Sequence, residues 1–194
     1  MNDADSPMVD DDAVDSGKNP QHPSAADGSF EIVTQPRTIS NDEARKRVMS
    51  SFSQKLRSLR PSRAVKQTTL RYKPYFEFKA TLRKRIFRGD DDIYHGAIVV
   101  DGLTGVARPI LKEQVETTVE RIPENNVLKP DIDEGTARNR ANRNRIKVQQ
   151  RESGRIELCD EPSLVYKPLW LVELGNDVEV VDATNGQVFA GRLL

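Results

Sequence analysis

The clearest pattern in the chain is a strict alternation between Leu70 and Arg83. Leu70, Tyr72, Pro74, Phe76, Phe78, Ala80 and Leu82 take turns with Arg71, Lys73, Tyr75, Glu77, Lys79, Thr81 and Arg83. A period of two places every even residue on one side of a strand, so the segment is expected to be a long strand with one buried face and one wet, mostly basic face. Pro74 has no amide hydrogen to give to a ladder and predicts an edge position or a bulge. A polar connection through Gly89, Asp90, Asp91 and Asp92 leads to a second strand, Ile93 to Asp101, and the pair reads as a hairpin. Gly102 to Gly105 then turns the chain into a short third strand ending near Ile110. Leu111, Val115, Val119 and Ile122 predict a helix stopped by Pro123.

Upstream the period changes to that of a helix. Ala44, Val48, Phe52, Leu56 and Leu59 recur at three- and four-residue spacing, and Ser40 with Glu43 makes a capping box that satisfies the first free backbone donors. The prediction is an amphipathic helix from about Asn41 to Leu59, ended by Pro61.

Two blocks recur in the same order. Tyr72-Lys73-Pro74-Tyr75-Phe76 reads like Tyr166-Lys167-Pro168-Leu169-Trp170, and Val99 to Val106 reads like Val180 to Val188, with one extra residue expected in the second turn. An aspartate opening such a turn accepts from amides two or three residues on, and a glycine closing it supplies a positive φ. Asp101, Gly105, Asp182 and Gly186 are therefore assigned as structural turn residues. The pattern resembles the PepSY-like family, most closely at Val180 to Phe189 and again at Val99 to Val106. That resemblance implies small units pairing a helix with an antiparallel sheet, and a non-catalytic, binding role.

Charge sharpens the organisation. The 194 residues hold 30 Lys plus Arg against 30 Asp plus Glu, but the signs are segregated. Residues 1 to 29 carry seven aspartates against Lys18 alone, with Pro, Ser and Gly between them, which predicts a disordered acidic tail over 1–37. Residues 36 to 88 are strongly basic and 136 to 155 basic again. No run of 18 apolar residues and no export signal is found, so the expected location is the cytoplasm.

Signatures of chemistry are sparse. One cysteine, Cys159, with His22 and His95, makes neither a disulfide nor a zinc framework, and there is no phosphate loop, nucleophile elbow or His-Glu-x-x-His. Asp131, Asp133 and Gly135 fall out of register for a calcium loop. Asp90 to Asp92 reads as a solvated hairpin tip, His95 as structural or at the surface, and Cys159 as a small buried residue. Thr136 to Arg151 stands apart. As a helix it lines up Arg140, Arg143, Lys147 and Arg151 as one basic stripe beside a narrow docking stripe of Ala137, Ala141 and Val148. Such a row can match phosphates and gain affinity by counterion release, so these four are the candidate nucleic-acid-binding residues.

The combined expectation is an α+β protein. It has the tail over 1–37, a first helix-plus-antiparallel-sheet repeat with a trailing helix over 38–130, and a second such repeat over 131–194. The expected function is a non-enzymatic protein-interaction or assembly module, with nucleic-acid binding through the basic helix faces as the alternative. No cofactor, metal or transmembrane segment is expected, the protein partner is unidentified, and the oligomeric state is open.

Overall fold

The computed structural model describes residues 28–56, 64–84, 92–110, 116–152, 154–159 and 161–190. The elements are β1 (Ser29–Thr34), α1 (Asn41–Leu56), β2 (Val65–Lys84), β3 (Asp92–Asp101), β4 (Ala107–Ile110), β5 (Thr118–Pro123), α2 (Glu134–Glu152), β6 (Arg155–Leu158), β7 (Ser163–Leu174), β8 (Asp177–Asp182) and β9 (Val188–Ala190), with a 3-10 turn at Glu124–Asn126. All nine strands belong to one mixed sheet, ordered β4-β3-β2-β7-β1-β5, with β6 also on β2 and β8 and β9 continuing from β7. No helix among the described residues is long and apolar enough to cross a membrane.

The sheet is built around the antiparallel pairing of β2 with β7. Its register is symmetric about one pair: Lys73 faces Lys167, Tyr72 faces Pro168 and Pro74 faces Tyr166. Pro74 thus lies in an interior strand, not at an edge or a bulge. Its carbonyl accepts from the Gly102 amide at 2.9 Å, on the side away from β7, and its ring nitrogen points the same way. The amide hydrogen that proline lacks is therefore not needed for the β7 ladder. Pro168 repeats the arrangement, its carbonyl accepting from Ala183 N–H at 3.0 Å.

Even residues of β2 and β7 share one face, and both helices lie on it. Ile39, Ala44 and Val48 of the α1 region pack on Val172, Leu174 and Val181. Ala137 and Ala141 of α2 pack on Phe76, Phe78, Ile98 and Val100, and Val148 on Leu82 and Ile156. Between them Ile32 and Ile122 close over Tyr72 and Tyr166. The capping box at the start of α1 is formed: Ser40 N–H donates to Glu43 Oε2 at 3.0 Å and Glu43 N–H to Ser40 Oγ at 3.3 Å. That bonding holds the Glu43 carboxyl below its usual range.

This layout corrects the expectation of two helix-plus-sheet repeats. There is one large sheet with two helices, and each helix lies over the hairpin of the other half. The reason is geometric. Because β2 runs antiparallel to β7, its first residue, Val65, faces Leu174, so the helix leading into β2 sits over the β7–β8 hairpin. Ser163 at the start of β7 faces Glu77, so the helix leading toward β7 sits over the β2–β3 hairpin.

Three local expectations also change. The segment 28–37, assigned to the tail, contains β1, paired along its length with β5, with Ile32 and Thr34 buried. Phe30 and Ile32 alternate with Glu31 and Val33, but the strand has its partner some ninety residues away, which composition does not reveal. Residues 1–27 of the expected tail lie outside the described residues. Of the helix expected over Leu111 to Ile122, residues 111–115 lie outside the described residues, and the rest holds strand β5 from Thr118; Ile122 is buried while Val119 is 65% exposed. The β-branched Thr117, Thr118 and Val119 suit the pleated conformation better than a helix. Finally the two turns are equal in length, Asp101 to Gly105 and Asp182 to Gly186, and the strands after them pair in the same register, Val100 with Ala107 and Val181 with Val188, so the expected extra residue is absent.

The tyrosines of the seam couple stability to alkaline pH. Tyr72 is fully buried and donates to Glu120 Oε2 at 3.2 Å; burial, with help from Glu120 and against Arg37, pushes its phenol up to about 12. Burial raises Tyr75 as well, with the Asp101 and Asp182 carboxylates adding to the effect. An unfolded tyrosine ionises near pH 10, so above that point the unfolded chain releases protons that the folded chain holds. Each such phenol then costs about 1.4 kcal/mol of stability per pH unit. Urea midpoints measured from pH 8 to 11.5 should fall beyond pH 10, and Tyr72→Phe should fall less steeply. Identical slopes for the two proteins would contradict the assignment.

Candidate functional site

The two glycine-closed turns are built alike. Asp101 Oδ1 accepts from the Leu103 and Thr104 amides at 3.0 and 3.2 Å, and its carbonyl accepts from Gly105 N–H at 2.8 Å. Asp182 Oδ1 accepts from the Thr184 amide at 2.9 Å and its hydroxyl at 2.6 Å, and its carbonyl accepts from Gly186 N–H at 2.7 Å. Gly105 and Gly186 take φ of +70° and +76°, where a side chain would be strained. The second carboxylate oxygen in each case meets a lysine: Lys73 Nζ is 2.9 Å from Asp101 Oδ2 and Lys167 Nζ is 2.5 Å from Asp182 Oδ2. Both aspartates are committed to structure on both oxygens.

Sequence reading missed the two lysines. Their positions in the alternation place them on the wet face, yet Lys73 is only 4% exposed. The available signal was the repeated Lys-Pro, one lysine preceding each seam proline. The helices also reach the turns. Arg47 of α1 donates to the Gly186 carbonyl at 3.3 Å, and its guanidinium occupies the space a side chain at 186 would need. Arg140 of α2 lies beside Gly105.

The basic helix sorts its cations by role. Asp133 caps it, accepting from Thr136 N–H at 2.6 Å, which holds the carboxyl below its usual range. Ala137, Ala141 and Val148 are buried, and Asn144 donates to the Ala107 carbonyl at 3.1 Å. Arg138 pairs with Glu134 one turn earlier at 2.8 Å, and the half-buried Arg145 donates to the Ile156 carbonyl at 3.4 Å. Arg140, Arg143, Lys147 and Arg151 are all exposed on the flank that borders edge strand β4. Arg151 meets Glu152 at 3.1 Å, and Glu152 also holds Lys84 at 2.9 Å. For Arg140, Arg143 and Lys147 no carboxylate lies within 4.0 Å among the described residues. The flank extends over about 16 Å of rigid helix.

The opposite face of the sheet holds a cavity of about 390 Å³, lined by Glu77, Lys79, Thr81, His95, Glu157 and Cys159 among others. Burial raises the Glu77 carboxyl, partly opposed by Lys79. Cys159 is exposed, against the expectation of a buried residue. His95 is abreast of Thr81 on β3, whereas Cys159 lies beyond Lys79 on the other side of β2, its amide donating to the Lys79 carbonyl at 2.8 Å. Two strand spacings plus a two-residue offset separate them by roughly 10 Å or more, too far for a thiol–imidazole pair. No group of three His, Cys, Asp or Glu among the described residues is placed to hold a metal. The Asp90–Asp92 tip begins in residues outside the description, and Asp92 is the first residue of β3.

No protein-family model, curated protein or solved structure matches the chain at a significant level. The PepSY-like resemblance rests on its own two segments, Val180 to Phe189 and Val99 to Val106.

The aspartate clamps should dominate stability. Asp182 is 1% exposed, and removing its carboxylate strands a lysine and the two Thr184 donors, so Asp182→Ala should cost about 3–5 kcal/mol. Glu134→Ala, which breaks an exposed pair, should cost about 0–1 kcal/mol. Urea unfolding of both variants decides it. A cost under about 1 kcal/mol for Asp182→Ala would contradict the clamp.

Proposed function

We propose that this protein is a non-enzymatic binding module that engages a nucleic-acid backbone through the basic flank of α2. The supporting observation is that Arg140, Arg143 and Lys147 are exposed and have no carboxylate within 4.0 Å among the described residues. The helix docks by other residues, so the fold does not use these cations. Held at intervals of three and four residues, with Arg151 four further on, they form a row that a line of phosphates can neutralise with release of counterions. The exposed thiol of Cys159 suits a reducing compartment, and the cytoplasm is the proposed setting.

A second reading is the protein-interaction or assembly module, to which the PepSY-like resemblance also points. It is favoured by Val33 and Val119, which face each other across β1 and β5 and are 38% and 65% exposed at the end of the sheet. Sedimentation of the protein beside Val119→Lys tests it, since only an apolar contact between copies is lost with that charge.

The primary reading predicts a separation of effects. Changing Arg140, Arg143, Lys147 and Arg151 together to alanine should leave the thermal midpoint nearly unchanged, because exposed charges contribute about 0–1 kcal/mol each and alanine is the best helix former. Binding to mixed-sequence DNA and RNA should weaken, and the slope of log K against log salt should flatten by roughly one unit per lost contact. Unchanged binding, or a large drop in melting temperature without one in affinity, would overturn the reading.

A further inference from the structure

We propose that the cavity on the sheet face opposite the helices is a binding site for a small zwitterion, an α-amino acid with an apolar side chain. This goes beyond the proposed function and does not depend on it, since the cavity and the α2 flank lie on opposite faces of the sheet.

The cavity sits where the pairing along one side of β2 is interrupted. Leu158 of β6 pairs with Ala80 and the Cys159 amide donates to the Lys79 carbonyl at 2.8 Å, whereas Ser163 of β7 is already opposite Glu77. The chain from Cys159 to Ser163 therefore passes a single residue of β2, Phe78. Extra residues in one strand of a pair break the ladder, bend the strand and re-aim the side chains beside it. Phe78 points into the core under α2, while Glu77 and Lys79, on either side of the break, point the other way and line the cavity. Its volume of about 390 Å³ is at the small end of the range for ligand sites, which suits a metabolite and not a length of polymer.

The lining offers one acid and one base that the fold leaves unused. Glu77 is half-buried and its carboxyl is raised by that burial, with Lys79 as the opposing charge. No ion pair within 4.0 Å joins the two, and neither has another among the described residues. Glu157, the other carboxylate of the lining, is taken by Arg83 at 3.8 Å and Arg155 at 3.5 Å. Two positions apart on one strand face, Glu77 and Lys79 have Cα atoms about 7 Å from each other. A molecule with ammonium and carboxylate on one carbon meets both, its ammonium toward Glu77 and its carboxylate toward Lys79. A simple cation would face Lys79 as a like charge, and a simple anion would face Glu77. Across from Lys79 the wall is apolar, formed by Ala97, 8% exposed, and by Ile110 opposite it on β4. That wall receives the ligand's side chain.

The experiment titrates the isotope-labelled full chain with L-leucine as probe, and in parallel with leucinamide, which lacks the carboxylate, and 4-methylpentanoate, which lacks the ammonium. L-Leucine should shift the Lys79, Ala97 and Cys159 amides saturably, and each analogue should bind at least about tenfold more weakly. Glu77→Gln and Lys79→Met should each lose affinity to a similar extent, with urea midpoints reporting that both variants are folded. The exposed Cys159 thiol gives an independent readout, because L-leucine should slow its alkylation by iodoacetamide in the parent chain and not in the variants. No saturable shift, or shifts confined to residues away from the cavity, would overturn the site. Equal binding of the three compounds, or binding retained in both variants, would overturn the match of charges. The ligand series is read on the parent chain alone, so it decides the proposal even if a variant does not fold.

Discussion

Two lysines face each other across the central strand pair, and the rest of the structure is arranged so that each can be neutralised. Lys73 and Lys167 are directly opposed on β2 and β7, one of them nearly buried. Like charges so placed repel, and a buried cation without a partner costs several kcal/mol. Each therefore takes an aspartate from the turn ending the neighbouring strand, Asp101 at 2.9 Å and Asp182 at 2.5 Å. The requirement fixes where β3 and β8 must stop. Beyond those points the edges of Tyr72 and Tyr166 are open, and Val127 and Thr34 pair with them. The chain leaving Val127 leads into α2 and the chain leaving Thr34 leads into α1, so the clamps also set where the helices begin.

From that seam the exchange of helices follows without further assumption. Antiparallel pairing puts the start of each long strand against the end of the other, and the preceding helix is carried over the other hairpin. Neither half then has a complete core. Val48 needs Leu174 and Val181, and Ala141 needs Phe78 and Val100. The same docking leaves α2 resting on small residues along one side, with its basic flank turned outward past edge strand β4.

Much of this was legible locally and little of it globally. The even positions of β2, the Ser40–Glu43 capping box, the two aspartate turns and the stripe on α2 follow from spacing and side-chain chemistry that act within a few residues. What spacing does not encode is the partner of each surface. The alternation marks Lys73 as wet because it counts charge and not the aspartate waiting 28 positions on. Ser29 to Thr34 looks too polar to order because its support, β5, is distant in the chain, and Thr118 to Pro123 hides a period of two behind apolar residues that also fit a helix. The matching of Tyr72 with Tyr166 and of Asp101 with Asp182 reflects shared contacts, yet it invites the inference of two separate units. The cavity beside Glu77 left no signal, since its lining comes from four strands.

The account stands or falls on which hairpin each helix covers. Methyl-resolved NMR on the full chain measures this directly through nuclear Overhauser contacts from Val48 and Ala141. Cross-peaks from Val48 to Val181 and Leu174, with others from Ala141 to Val100 and Ile98, are the predicted result. Cross-peaks from Val48 to Val100 and from Ala141 to Val181 would mean that each helix covers its own hairpin, and would contradict the exchanged arrangement together with the seam from which it is derived.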